Sequence, residues 1–203
     1  MRGLAFVLLG ALAVCTVRAE TKKKMECTLT VSPRGGDSQV SSNRGGTLIR
    51  SSSMTNNNSS KTITRNLKWL AEVRIRENRP GKLELKAYYI GEVDGGKSIK
   101  QIGEGTHSLE LDKNGRASVE LESPTTRLRK TRTTSSSSGN SGFRSTKKRI
   151  SGERVTGCVL QLFADGEFVK GWASDSRWAF AANKAPFSIT ELAQRKSGAI
   201  GLR

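Results

Sequence analysis

Apolar and polar residues alternate along several short segments of the chain. In "NLKWLAEVRIR", Trp69, Ala71, Val73 and Ile75 take every second position between polar neighbours, which is the period of a half-buried β-strand. "MECTLTV", "LELKAYYI", "HSLEL" and "ASVELE" alternate in the same way. Turn-forming residues separate these segments, as in "ENRPGK" and "DKNGR". We therefore predict an all-β protein, with "HSLEL" and "ASVELE" paired as a hairpin across "DKNGR".

A later segment, "GCVLQLFADGEFVKGWAS", predicts a second hairpin. The dipeptide Asp-Gly at 165–166 lies between two apolar runs and suits a two-residue turn. That turn predicts the pairs Phe163 with Phe168 and Val159 with Trp172. Both faces of the hairpin are largely apolar, which indicates a strand covered on both sides.

Two short helices are expected after this hairpin, in "SDSRWAFAANK" and "SITELAQRK". Trp172, Trp178 and Phe180 in this region are open to two interpretations: they pack in the core, or they form a platform for a ligand such as a sugar ring. We favour core packing because the predicted hairpin already gives Trp172 a partner.

Two segments, 33–60 and 124–156, have no such alternation and are rich in Ser, Gly, Asn and basic residues. Segments this polar bury too little apolar surface to offset the entropy lost on ordering. We predict that both are mobile insertions within a single domain of residues 20–203.

The first twenty residues have the layout of a secretory signal peptide. Arg2 precedes an apolar run at 4–14, and small residues follow. We expect cleavage before Glu20, removal of residues 1–19, and a protein that is secreted, periplasmic or on the cell surface. The run is too short to span a membrane as a helix. "LAVC", which ends at Cys15, also fits a lipobox and leaves a lipid-anchored protein as an alternative.

Cys27 and Cys158 form an even pair after Cys15 leaves with the signal peptide. Because disulfides persist in exported proteins, we predict that the two are bonded. Two free, buried cysteines are the alternative.

The chain is strongly basic, with a net charge of +17 that becomes +15 once Arg2 and Arg18 are removed. Such a balance favours contact with anionic polymers or surfaces, although a solvated charged surface is the simpler interpretation. Basic residues concentrate in 125–149, where only Phe143 is available for base stacking. An inert loop and a contact with a protein partner are the other interpretations of this segment. The candidate anion-binding residues are Arg127, Arg129, Lys130, Arg132, Arg144, Lys147, Lys148 and Arg149.

The segment "GEVDGGKS" at 91–98 matches the P-loop pattern of nucleotide-binding proteins. A P-loop needs a helix after its glycines, whereas "IKQIGEGTHSLEL" has no helical period, and Asp94 places a negative charge in the cradle. We predict a glycine turn between strands and no nucleotide. His107 is the sole histidine, and no nucleophile or set of metal ligands accompanies it at a recognisable spacing. We therefore expect no cofactor and no enzymatic activity.

Cys27, Trp69 on a clear strand and Cys158 on a late strand, behind a signal peptide, resemble immunoglobulin-like β-sandwich domains. The resemblance is to the secreted kind found in bacterial envelope and pilus-associated proteins. The chain departs from that pattern in its long insertions and in Thr156, which stands where a tyrosine corner would place Tyr.

The resemblance implies one sandwich domain in a non-enzymatic exported interaction or structural protein, including a component of a surface or pilus-like assembly. Its partner would then be another protein or a second copy. The alternative function is binding of an anionic polymer, such as nucleic acid, lipopolysaccharide or an acidic glycan, through residues 125–149.

Overall fold

A computed structural model describes residues 25–47, 54–76, 80–137, 144–190 and 192. The predicted signal peptide, Cys15 and most of the second predicted helix lie outside these residues. In chain order the strands are β1 Cys27–Gly35, β2 Ser38–Thr47, β3 Met54–Arg65, β4 Lys68–Ile75, β5 Leu83–Val93, β6 Ser98–Leu109, β7 Arg116–Glu122, β8 Thr126–Ser137, β9 Arg144–Ala164 and β10 Glu167–Ala173. A 3-10 turn at Ser176–Trp178 and the helix α1, Ala179–Ala182, follow.

Two antiparallel sheets enclose the main core. One has the order β1-β4-β7, and the other contains β6, β5, β9 and β10 side by side. Alternate residues of β4 and β5 enter the core, as the sequence period predicts, and Ala71, Leu85 and Leu160 are fully buried there. The predicted all-β, sandwich-like fold is confirmed.

The strand order matches an immunoglobulin-like arrangement once β2, β3 and β8 are set aside. In such sandwiches the A, B and E strands form one sheet and the C, F and G strands form the other. Here β1-β4-β7 takes the first order, and β5, β9 and β10, with β6 at the edge, take the second. The arrangement concerns topology alone, and kinship with the envelope and pilus-associated proteins stays a prediction.

The predicted hairpin between "HSLEL" and "ASVELE" is wrong. β6 pairs with β5, whereas β7 pairs with β4 in the other sheet. The "DKNGR" turn therefore carries the chain across the sandwich, and it is held by Asp112, whose carboxylate accepts hydrogen bonds from the N–H groups of Asn114 and Arg116 at 2.8 Å. Both strands are amphipathic, so periodicity alone could not tell which neighbour each would take.

The second predicted hairpin is confirmed at its turn and wrong beyond it. Asp165 and Gly166 both adopt positive φ, and Phe163 pairs with Phe168. A bulge after Phe168 then shifts the register by one residue, so that Trp172 pairs with Leu160 rather than Val159.

The segments 33–60 and 124–156 were expected to be loops, and this expectation is wrong for the residues described. Most of them lie in β1, β2, β3, β8 and β9, and β2-β3-β8-β9 is a continuous antiparallel array. The array forms because β9 is 21 residues long. Its second half lies in the core and pairs with β5, and its first half extends beyond the core and pairs with β8. We call residues 38–47, 54–65, 126–137 and 144–152 the basic extension.

A second cluster covers the outer side of the β5–β9 sheet. Trp178, Ala181 and Ala182 are buried against Ile90 and Val159. Core packing is therefore correct for Trp178, and Trp172 packs against the main core from a half-buried position. Among the described residues, no helix is long and apolar enough to cross a membrane.

Cys27 and Cys158 are free thiols in the structure, which differs from the disulfide expected. Cys158 of β9 is buried in the main core, and Cys27 of β1 packs against the same core from the other sheet. Lys170 Nζ donates a hydrogen bond to the Cys27 carbonyl at 3.4 Å.

Candidate anion-binding surface

The structure places all eight predicted anion-binding residues on paired strands. Four lie on β8, which pairs with β3, and four lie at the start of β9, which pairs with β8. All eight side chains are exposed. The strands hold these charges at defined spacings, about 4.8 Å between neighbouring strands and about 7 Å between alternate residues of one strand.

The register divides the eight residues between two faces, because successive side chains of a strand point to opposite sides. We call one side the cleft face and the other the opposite face. Directly paired residues share a face, so Lys130, Arg132, Arg144 and Lys148 belong to the cleft face. The opposite face carries Arg127, Arg129, Lys147 and Arg149.

Lys61 of β3 also belongs to the cleft face, and sequence reasoning missed it. It lies directly opposite Lys130. The predicted insertion 33–60 ends one residue before Lys61. Lys61 lies beside residues of β8 because two distant parts of the chain pair with each other. The Ile63 and Thr62 that follow Lys61 are β-branched, and this was the one local signal for a strand there.

A cleft of about 380 Å³ lies on this side of the sheet. Its charged walls include Lys61, Lys130, Arg132 and Lys148, and Ser42 and Ser59 add hydroxyl groups. This volume lies within the range of small-ligand sites, about 300–1,000 Å³.

The acidic residues nearest to the extension are already paired at its base. Arg154 donates a hydrogen bond to Glu92 at 2.9 Å, and Lys100 donates one to Glu153 at 3.0 Å. Within the described parts of the chain, none of the eight candidate residues forms an ion pair. Among the described residues, these eight charges therefore have no acidic side chain paired with them.

The P-loop-like segment is a glycine turn between strands, as predicted. It joins β5 to β6 in an antiparallel hairpin, and Asp94, Gly95 and Gly96 adopt positive φ. The Asp94 carboxylate accepts a hydrogen bond from the N–H of Gly152 at 3.1 Å, which ties the turn to β9. No helix follows to direct N–H groups at a phosphate, so the segment does not have P-loop geometry.

His107 lies on β6 opposite Leu85. Groups of three or more His, Cys, Asp or Glu side chains able to hold a metal ion do not occur among the described residues.

The chain matches no protein-family model and no curated protein.

Proposed function

We propose that this protein is an exported, non-enzymatic interaction protein whose basic extension binds an anionic polymer. One observation supports this function above others: the four strand segments contain no Asp or Glu. Their basic residues are Arg44, Lys61, Arg65, Arg127, Arg129, Lys130, Arg132, Arg144, Lys147, Lys148 and Arg149.

Such a concentration of positive charge lowers the stability of the extension when no ligand is bound. Like charges on neighbouring strands repel one another, and the extension has few buried apolar side chains to offset the repulsion. An anionic polymer would replace repulsion with attraction along the whole surface, and its affinity would fall steeply with added salt. Because the strands already order the charges, binding would lose less conformational entropy than binding by a mobile loop.

The test is binding to heparin, measured at equilibrium in about 0.15 M salt. Replacing the eight candidate residues with Gln should abolish binding, since exposed substitutions of this kind change stability little, roughly 0.5 kcal/mol each at most. A control variant has eight Gln substitutions at exposed Lys and Arg residues of the sandwich, among them Arg74, Lys97 and Arg116. Circular dichroism checks that both variants keep the fold.

The two variants separate the proposal from a simple effect of net charge, because both lose the same charge. Retained binding by the control and lost binding by the extension variant is the expected result. Equal losses would reject the extension as the binding surface, and a wild-type protein that does not bind would reject the function.

Self-assembly is a second candidate, and the edge of the sheet favours it. β2 pairs with β3, and no other described strand pairs with its second side. Val40 on this strand is 55% exposed. An unprotected edge strand can pair with another chain, as a surface or pilus-like assembly would require.

Light scattering over a wide range of protein concentrations tests self-assembly. The apparent mass should rise with concentration, and Val40→Lys should reduce the rise by adding charge to the edge. A constant monomer mass would rule this candidate out.

A further inference from the structure

The two faces of the basic extension differ in how their charges are paired. On the cleft face, Lys61 lies directly opposite Lys130, and Arg132 lies directly opposite Lys148. Like charges in such pairs destabilise a sheet. The cleft face thus has two repulsive cross-strand pairs in adjacent rows.

On the opposite face every basic residue of β8 and β9 is paired with a neutral one. Arg127 lies opposite Thr64, and Arg129 lies opposite Thr62 and Ser151. Lys147 and Arg149 lie opposite Thr133 and Thr131. Basic residues on this face therefore have no basic partner directly across the strands, whereas the cleft face has two such pairs.

The residues of the two repulsive pairs, Lys61 with Lys130 and Arg132 with Lys148, border the cleft described above. Four basic residues of the cleft face line it, Arg149 of the opposite face also borders it, and no acidic residue is among its lining residues. The chain therefore combines a concave shape with repulsive pairs that an anionic group between them would stabilise.

The chemistry around the cleft distinguishes between classes of polymer. The four strand segments contain no Phe, Tyr, Trp or His, so they lack the aromatic side chains on which single-stranded nucleic acids stack. Ser42 and Ser59, which share the cleft face with Lys61 and Arg132, instead supply hydroxyl groups at the cleft. Such groups suit the hydroxyls of a sugar chain.

We infer that the cleft between Lys61, Lys130, Arg132 and Lys148 is a subsite that binds the sulfate or carboxylate groups of an acidic glycan. This inference rests on the proposed function and narrows it to one face and one class of polymer. Apart from Arg149, which borders the cleft, the basic residues of the opposite face contribute charge at long range but do not contact the glycan.

Matched triple variants test the assignment to one face. Lys130→Gln, Arg132→Gln and Lys148→Gln remove three charges from the cleft face. Arg127→Gln, Arg129→Gln and Lys147→Gln remove three from the opposite face, again two on β8 and one on β9. All six side chains are exposed, and equal urea midpoints will show that both variants keep their stability.

Affinity for a heparin oligosaccharide is measured in about 0.15 M salt. The cleft-face variant should lose affinity on the order of 100-fold, given the attraction of a basic residue to an anionic surface. The opposite-face variant should lose less than about 5-fold. A single-stranded oligonucleotide of similar charge should compete poorly.

The outcomes distinguish failure of the inference from failure of the proposed function. Equal losses in the two variants would overturn the subsite and leave binding by the whole extension. Strong competition by the oligonucleotide would overturn the glycan and assign nucleic acid as the polymer. Wild-type protein that binds neither probe would overturn both the subsite and the proposed function.

Discussion

Thr126 joins the basic extension to the sandwich, and its hydroxyl can be tested directly. The residue is buried at the start of β8. Its Oγ1 donates a hydrogen bond to the carbonyl of Arg65 at 3.0 Å and accepts one from the N–H of Val155 at 3.1 Å. One side chain thus connects β3, β8 and β9 at the point where β9 enters the core.

Thr126→Val keeps the shape of the side chain and removes both bonds. A hydrogen bond contributes about 1 kcal/mol net, and a buried N–H without a partner costs about 1–3 kcal/mol. Because Val155 is fully buried, we expect the free energy of unfolding to fall by about 2–3 kcal/mol. For a chain of this size that loss lowers Tm by roughly 4–12 °C.

Urea unfolding measures the change, and Thr126→Ser is the matched control. Serine keeps the hydroxyl and loses one methyl group, so it should cost only about 0.8 kcal/mol. A valine variant as stable as the wild type, or no less stable than the serine variant, would refute the role given to this hydroxyl.

Further predictions concern the thiols, a buried tyrosine and a glycine contact. Burial raises the pKa of the Cys27 and Cys158 thiols, so iodoacetamide at pH 8 should modify both slowly in the folded protein and quickly in urea without reductant. If iodoacetamide modifies the two cysteines in urea only after a reductant is added, Cys27 and Cys158 form a disulfide. Burial also raises the pKa of Tyr89 to about 12, whereas an unfolded tyrosine titrates near pH 10. The free energy of unfolding should therefore fall by about 2 kcal/mol between pH 10 and 12. Urea titrations should show a smaller fall for Tyr89→Phe. A Cβ on Gly171 would lie 2.0 Å from a carbonyl oxygen of α1, so Gly171→Ala should destabilise the fold by about 2–3 kcal/mol. Gly81→Ala, which meets its nearest atom at 3.4 Å, should change stability by less than about 1 kcal/mol, and equal effects in thermal unfolding would contradict the packing described.

The sandwich was largely predictable because burial leaves a period in the sequence. β4 and β5 alternate buried and more exposed residues along most of their length, so each local pattern was sufficient to identify a strand. Which strands pair was not predictable in the same way. β6 and β7 are neighbours in sequence, but the core places them in different sheets.

The basic extension could not be predicted from burial, because its side chains bury little. Its strands gain stability from backbone pairing with neighbours, beginning at the part of β9 that leaves the core. A polar segment such as "SSSMTNNNSS" has the same composition whether it is paired or not. Gly152, with a φ of 99°, lies where β9 passes from the sandwich to the extension, and a single glycine in a polar segment does not signal this.

The candidate site was predicted only as a set of charges. The eight basic residues were identified from their density in the sequence, and the structure divides them between two faces. That division follows from the registers of β3, β8 and β9, which join residues far apart in the chain. The same registers add Lys61, which lies opposite Lys130 although the two are 69 positions apart in the chain.

The salt dependence of heparin binding by the wild-type protein tests the central claim most directly. Each contact between a basic residue and a linear polyanion contributes a slope of about 0.7–0.9 to the decrease of log K with log salt concentration. Four contacts in the cleft therefore predict a slope close to −3, measured by titration calorimetry between about 0.05 and 0.3 M salt. A slope near zero, or no binding at the lowest salt concentration, would contradict the account.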